Sequence, residues 1–315
     1  MKITELLKEK NTFSFEVFPP KEACSLDALG ETLTNLCAFD PDFISITYGA
    51  GGSNEGRSVD VCRLVQARGR TAVPHFTCIG NTRAKIDGYI KNYLDLGMEN
   101  VLLLRGDLPD GWTGTMGDFM HADSLIAYFK EKHPDLALGA ACYPEIHIES
   151  ATLEDDVRYL KRKQDAGAEF FMAQLCHDVT AYERFIETVR RAGVTVPVVV
   201  GVMPILSRAG VIRMTLSNGC SIPAELAAII GKYEDDEQGF LEAGKAFTVR
   251  LIERYIAAGA RGLHIYTLNK YKDVAEIVAH CDMTRFRAGR GTVRGAGDAE
   301  RIGGDGADRR FRRER

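Results

Sequence analysis

Two hydrophobic periods alternate along the chain. Phe13, Phe15 and Val17 alternate with Ser14, Glu16 and Phe18, the period-2 pattern of a strand. Pro19 and Pro20 stop it, because proline has no N–H to give a ladder. Leu26, Leu29, Leu33 and Leu36 then recur at helical spacing within 26–38. The exchange repeats. Strands are predicted at 43–48, 73–78, 101–104, 136–142, 170–174, 198–202 and 263–269. Helices are predicted at 57–67, 82–96, 121–132, 152–166 and 179–192, with helical segments over 207–258 and a last helix ending near His280. Strands alternating with helices argue a parallel sheet. Eight such units predict one α/β domain, a (β/α)8 or TIM barrel, over a doubly wound open sheet.

Active sites of such barrels lie at the C-terminal ends of the strands. Glu16, Thr47-Tyr48, His75, Arg105-Gly106-Asp107, Tyr143, Gln174 and Tyr266 all fall at or near those ends. A carboxyl at the end of an apolar strand loses water, which favours the protonated form a general acid needs. The plainer reading of Glu16 is a solvated or Arg-paired side chain. His75 reads as readily as a packed core residue, and Arg105 with Asp107 as a structural ion pair. On the helix at 152–166, Asp156, Tyr159 and Lys163 share one face. They could take a ribose hydroxyl and a phosphate, although solvated charges on a helix are commoner. The glycine-rich stretch 49–53 could let a ligand approach the backbone.

Composition narrows the function. A chain of 315 residues, 45% hydrophobic, can bury a large core. Its net charge of −4 argues against a nucleic-acid partner. No apolar run reaches the ~20 residues of a membrane span, and the N-terminus lacks a signal peptide's apolar segment. Eight scattered cysteines without a C-x-x-C pair read as reduced thiols of a cytoplasmic protein. Gly239–Lys245 has Walker A spacing, but Ala246 stands where the Mg²⁺-holding hydroxyl belongs. Gly289-Arg290-Gly291 breaks the dinucleotide pattern at Arg294, and no cluster has metal-ligand spacing. The domain is expected to span 1–283. The tail 284–315 has ten Arg against five acids, many Gly and few apolar residues, and is expected to be disordered.

Seven motifs carry a family resemblance in order along the chain. They are Ser14–Pro20, Thr47–Ala50, Pro74–Cys78, Leu104–Pro109, Tyr143–His147, Leu160–Lys163 and Tyr266–Asn269. Over about residues 10 to 280 the chain resembles the methylenetetrahydrofolate reductases, in their bacterial form with the catalytic domain alone. The resemblance implies a cytoplasmic FAD enzyme reducing 5,10-methylenetetrahydrofolate to 5-methyltetrahydrofolate, which supplies methyl groups for methionine synthesis. NADH or NADPH would give hydride by a ping-pong route through the flavin. It also implies a homo-oligomer, possibly a tetramer, whose partners are small molecules and neither nucleic acid nor membrane.

By motif position, FAD contacts fall on Tyr48, Ala50, His75, Arg105, Gly106, Asp107, Ala122, Tyr143, His147, Asp156, Arg162 and Lys163. Thr47 and Gln174 fall on nicotinamide contacts, and Gln174 also on a folate contact. Glu16 falls on the general acid, and Asp107 on a catalytic residue touching flavin and pterin. Lys270 stands for an Arg that meets the folate's glutamate tail, keeping the charge without the fork. Gly210 and Met214 stand where a Gln and an aromatic residue are expected. The competing functions are a flavin barrel oxidising another amine, such as proline, and a non-catalytic barrel scaffold.

Overall fold

A computed structural model describes residues 1–21, 24–48, 55–108 and 111–288. Eight strands close into a barrel in chain order: β1 (Thr12–Val17), β2 (Phe43–Ile46), β3 (Thr71–Thr77), β4 (Asn100–Leu104), β5 (Ala137–Cys142), β6 (Phe170–Ala173), β7 (Val198–Val202) and β8 (Gly262–Tyr266). Every neighbouring pair is parallel, and β1 closes on β8 with Glu16 opposite Tyr266. The predicted TIM barrel is therefore the observed fold.

Helices wrap the outside: α2 (Asp27–Cys37), α3 (Glu55–Gln66), α4 (Arg83–Leu94), α5 (Ala122–Lys132), α6 (Leu153–Asp165), α7 (Val179–Arg191) and α11 (Tyr271–Ala279). Three more, α8 (Arg208–Ser217), α9 (Ala224–Lys232) and α10 (Glu237–Ala257), occupy the long helical stretch between β7 and β8. Several start on a side chain that accepts an otherwise orphaned N–H. Thr152 Oγ1 takes Asp155 N at 3.1 Å, and Asp236 Oδ1 takes Gly239 N at 2.8 Å. The Walker-like glycines 239 and 244 sit inside α10, where no phosphate loop forms.

The alternation in β1 has a definite sense. Phe13, Phe15 and Val17 join the core shared with the helices. Ser14 and Glu16 point into the barrel, where His264 of β8 meets both. A barrel wrapped by helices buries its strands on both faces, so the polar residues of β1 lie inside, not in solvent.

A helix that no sequence pattern announced, α1 (Ile3–Glu9), closes the N-terminal end of the barrel. Ile3 and Leu7 pack with Phe43, Val73, Leu102, Phe170, Met172 and Val199. The cap is pinned by Asn100, whose Oδ1 accepts from Ile3 N at 2.8 Å while its Nδ2 donates to Met1 O at 2.9 Å. Asn100 is fully buried, so both bonds satisfy groups that would be costly to leave bare.

Two boundaries differ from expectation. Strand β8 ends at Tyr266, because Leu268 and Asn269 take left-handed φ of 51° and 56°. At the other end, α12 (Met283–Ala288) carries order past residue 283. Phe286 is buried there, its carbonyl accepts from Asn11 Nδ2 at 2.9 Å, and Arg287 Nη1 bonds Asp40 Oδ2 at 3.0 Å. The rest of the tail, with Gly289–Gly291, lies outside the described residues.

Candidate active site

A cleft of about 570 Å³ opens at the C-terminal ends of the strands. Sixteen of the residues singled out from the sequence line it: Glu16, Thr47, Tyr48, His75, Arg105, Gly106, Asp107, Ala122, Tyr143, His147, Asp156, Tyr159, Lys163, Gln174, Met214 and Tyr266. Ala50 lies outside the described residues. Arg162 and Lys270 do not line the cleft. Arg162 turns to Asp123, Nη2 to Oδ2 at 2.6 Å, and lies over the Tyr159 ring at 5.6 Å, so it meets the cleft wall through those two residues. Lys270 is exposed at the start of α11. Of the two positions that depart from the family pattern after β7, Met214 lines the cleft and Gly210 does not.

One side of the cleft is a buried carboxyl set among imidazoles. Glu16 is 8% exposed, so the solvated reading of this side chain does not hold. Its Oε2 stands 3.8 Å from His75 Nε2 and 3.8 Å from His264 Nε2. Neither distance is a hydrogen bond. His264 is held by its own partners, Ser14 Oγ at 2.7 Å on Nδ1 and Ser45 Oγ at 3.1 Å on Nε2. It also stacks on Phe43, with centroids 5.7 Å apart. His75 differs, because its buried Nε2 has no hydrogen-bond partner. Burial pushes its pKa down to about 4; the nearby Glu16 charge opposes that fall and His264 adds to it. The ring is therefore neutral at pH 7, and one polar atom is available to something in the cleft.

Another part of the lining carries charges of both signs, Arg105 and Lys163 with Asp107, Asp123, Glu149 and Asp156, on loops and on α5 and α6. Arg105 forks onto Glu149, with Nη2 to Oε1 at 2.7 Å and Nη1 to Oε2 as the second bond. The alternative reading of Arg105 and Asp107 as a structural ion pair does not hold, because Arg105 takes the longer-range partner, and Asp107 is exposed at the cleft edge. Gly106 sits between them at φ 85°, where a Cβ would come 2.7 Å from Ile79 Cγ1. Only glycine fits that backbone and that space.

Asp156, from the first turn of α6, organises the β5–α6 loop. It accepts from His147 N at 2.6 Å and from Ser150 Oγ at 2.7 Å. One helical face further on, Lys163 donates to Ala141 O at 2.9 Å and lies 5.8 Å from the Tyr143 ring. Burial lowers the Lys163 pKa, against nearby Cys142 and Asp156, which raise it. The shared face of Asp156, Tyr159 and Lys163 is therefore turned to the cleft, and all three line it.

Tyr266 crosses the barrel mouth and donates to Ala173 O at 2.7 Å, next to Gln174. Gly201 makes room for it, because a Cβ there would come 2.3 Å from the Tyr266 hydroxyl. Met172 and Met203, which period and charge did not single out as chemistry, also line the cleft. Glu149 and His264 were likewise missed. Glu149 lies in a loop with no local pattern, and His264 looks like any apolar-flanked strand residue until Ser14 and Ser45 stand beside it.

Among the described residues no three His, Cys, Asp or Glu side chains are grouped to hold a metal, and no helix is long and apolar enough to cross a membrane. All eight cysteines are free thiols.

A family model described as methylenetetrahydrofolate reductase matches residues 2–282. The chain is 34% identical over 297 residues to the probable methylenetetrahydrofolate reductase (NADH) of Oryza sativa subsp. japonica, covering 88% of this chain and 50% of that protein. It is 31% identical over 258 residues to 5,10-methylenetetrahydrofolate reductase of Escherichia coli (strain K12), covering 82% of this chain and 86% of the other. The chain thus spans about half the length of the plant relative and most of the bacterial one. A solved structure described as an uncharacterized protein from Clostridium thermocellum that binds two copies of 5-methyl-5,6,7,8-tetrahydrofolic acid superposes with a TM-score of 0.60 at 15% identity, over 89% of this chain and 97% of that one. At that identity the likeness is one of fold. The family match covers every strand of the barrel and the whole of its lined mouth, so this chain is a member of the methylenetetrahydrofolate reductase family.

Proposed function

We propose that the protein reduces 5,10-methylenetetrahydrofolate to 5-methyltetrahydrofolate with NADH or NADPH as hydride donor and FAD as bound cofactor. The observation that carries this reading is the buried carboxyl of Glu16 opening into a cleft that also holds Arg105 and Lys163. The residues present fit FAD. His75 Nε2 is a buried polar atom in need of a partner, Gly106 holds the tight turn that brings Arg105 and Asp107 to the cleft, and Lys163 and Arg105 suit a pyrophosphate. With Tyr48, Asp107, Ala122, Tyr143, His147 and Asp156 they would hold the cofactor. Arg162 would act through Asp123, and Ala50 is placed there by motif alone. Bound in the cleft, FAD would supply the two-electron chemistry, taking hydride from the nicotinamide and giving it to the folate in separate half-reactions.

The protein's own part is proton delivery and charge. The substrate's methylene carbon bridges two nitrogens in a five-membered ring. Protonating one nitrogen opens the ring to an iminium cation, which then accepts hydride. Glu16 would give that proton, from a place where water is scarce. Asp107 would set a fixed negative charge against the cation. Gln174 and Thr47 would orient whichever reactant occupies the cleft. Lys270, outside the cleft, would meet only a glutamate tail that extends past the rim.

The deciding experiment is the visible spectrum of purified protein, followed by NADH oxidation with methylenetetrahydrofolate or proline as the second substrate. A yellow protein active with the folate and inert with proline is expected. A colourless protein would return the barrel to a scaffold, and activity with proline alone would make it an amine oxidiser.

A further inference from the structure

The strand that carries Glu16 loses its neighbour one residue after Glu16 itself. Strand β8 pairs with β1 up to Tyr266 opposite Glu16. Next, Thr267 doubles the contact on one atom: its N–H reaches Glu16 O at 3.3 Å and its Oγ1 donates to the same oxygen at 2.6 Å. The chain then bends away, and β1 runs on into Phe18 and two prolines. Phe18 is left with an N–H and a carbonyl that no strand meets.

A side chain meets them. Asn269 Oδ1 accepts from Phe18 N at 3.0 Å, and Asn269 Nδ2 donates to Phe18 O at 2.9 Å. A carboxamide carries one acceptor and one donor arranged as in a peptide, so Asn269 stands in for the missing residue of β8. The placement has an energetic cost. Leu268 and Asn269 both sit in the left-handed region, which asparagine tolerates and leucine does not. Asn269 N is held in turn by Thr267 Oγ1 at 3.1 Å. The same turn puts Leu268 into the cleft wall beside Phe18. Strain of this kind persists only where surrounding bonds over-determine it, and it concentrates at functional sites.

We infer that Asn269 is a positioning residue: its carboxamide clamps the exit of β1 and so fixes the Glu16 carboxyl in the cleft. The inference rests on the reading of Glu16 as the acid. Without the clamp, Phe18 is free to swing, and the strand just beyond Glu16 keeps the bond from Thr47 N to Val17 O but loses both bonds at Phe18, so the carboxyl that precedes this exit is less firmly aimed. Among the described residues, the hydrogen bonds of this turn reach Glu16, Phe18 and Thr267, and none goes to a residue that would hold the cofactor.

The test is Asn269→Gly, which keeps the left-handed turn and removes only the carboxamide. Flavin content and the rate of flavin reduction by NADH should stay within about twofold of the parent, whereas the folate half-reaction should slow by roughly 10- to 100-fold, the scale of a misplaced catalytic group. Glu16→Gln and the double variant complete a cycle. If Asn269 acts through Glu16, adding Asn269→Gly to Glu16→Gln should slow the folate step no further. Multiplying losses, or equal loss in both half-reactions, would make Asn269 a structural cap and overturn the inference. An unchanged folate rate in Asn269→Gly beside a crippled Glu16→Gln would overturn it while sparing the acid assignment. A Glu16→Gln enzyme with full folate activity would overturn both. Should Asn269→Gly not fold, Asn269→Asp retains the acceptor for Phe18 N and loses the donor to Phe18 O, and is read by the same cycle.

Discussion

His75 Nε2 stands 3.8 Å from Glu16 Oε2, and no hydrogen bond reaches that nitrogen. The two groups are buried neighbours that do not form a charged pair at neutral pH, because burial keeps the imidazole unprotonated. His75 thus does not tie the carboxyl into an ion pair.

The sharpest prediction concerns Glu16. Hydride transfer from NADH needs no acid, whereas ring opening of the folate does. Glu16→Gln keeps size and hydrogen bonding and cannot donate that proton. Losing a general acid typically costs about 10²- to 10⁴-fold. Stopped-flow flavin absorbance should show near-normal reduction by NADH and almost no reoxidation by methylenetetrahydrofolate. Parallel loss of both rates would mean that Glu16 shapes the shared cleft.

Lys163 should hold the cofactor's phosphates. Lys163→Met keeps most of the buried stem and removes the charge that now bonds Ala141 O. Hydrogen bonds to charged groups contribute about 1.5–3 kcal/mol, so FAD affinity should fall by roughly 10- to 100-fold. Flavin-to-protein ratios after dialysis would read this directly. A normal ratio would leave Lys163 as a brace for β5.

Asp107→Asn should keep the flavin and slow the folate half-reaction, since the charge opposing the iminium is lost. Unchanged folate turnover with weakened FAD binding would make the residue's role structural.

Acid should destabilise the fold through two buried rings. His75 and His177 both have pKa values lowered from 6.5 to about 4 by burial. In the unfolded chain they bind protons below 6.5, and in the fold only below about 4. The unfolded state therefore binds more protons between those values, and stability falls as pH falls through that window. At about 1.4 kcal/mol per pKa unit the loss is on the order of 3 kcal/mol per ring. His177 does not line the cleft, and its Nδ1 has no hydrogen-bond partner. Thermal melts of His177→Leu should show a shallower decline from pH 6.5 to 4 than the parent. An unchanged slope would mean that the ring is solvated before global unfolding.

Gly201→Ala should be severe for so small a change. The new methyl would lie 2.1 Å from Ala173 O, which is backbone and cannot step aside. Overpacking of this kind costs about 1–3 kcal/mol or more. A lower melting midpoint is expected, with Tyr266 displaced from Ala173 O.

Much of this was legible in residue order. The period-2 runs and the helices between them were enough for the barrel, and strand ends were enough to mark the rim. Local pattern could not say which partner a rim residue takes. Arg105 reads naturally with Asp107 two positions away, yet it meets Glu149 across a loop. Lys163 reads as half of a surface pattern, yet it bonds a strand carbonyl. Arg162 and Lys270 were assigned by motif position, and motif position does not report which way a side chain turns. Helix α1 escaped notice because its seven residues are short for a periodic signal, and its two anchors matter only once a barrel end exists to receive them.

That stopper has a consequence for traffic. With Ile3 and Leu7 packed against the side chains that fill the barrel interior, the cleft opens at the other end, where the strands finish. Whatever enters must leave the way it came. The seven residues of α1 thus leave exchange with solvent to the rim of the cleft.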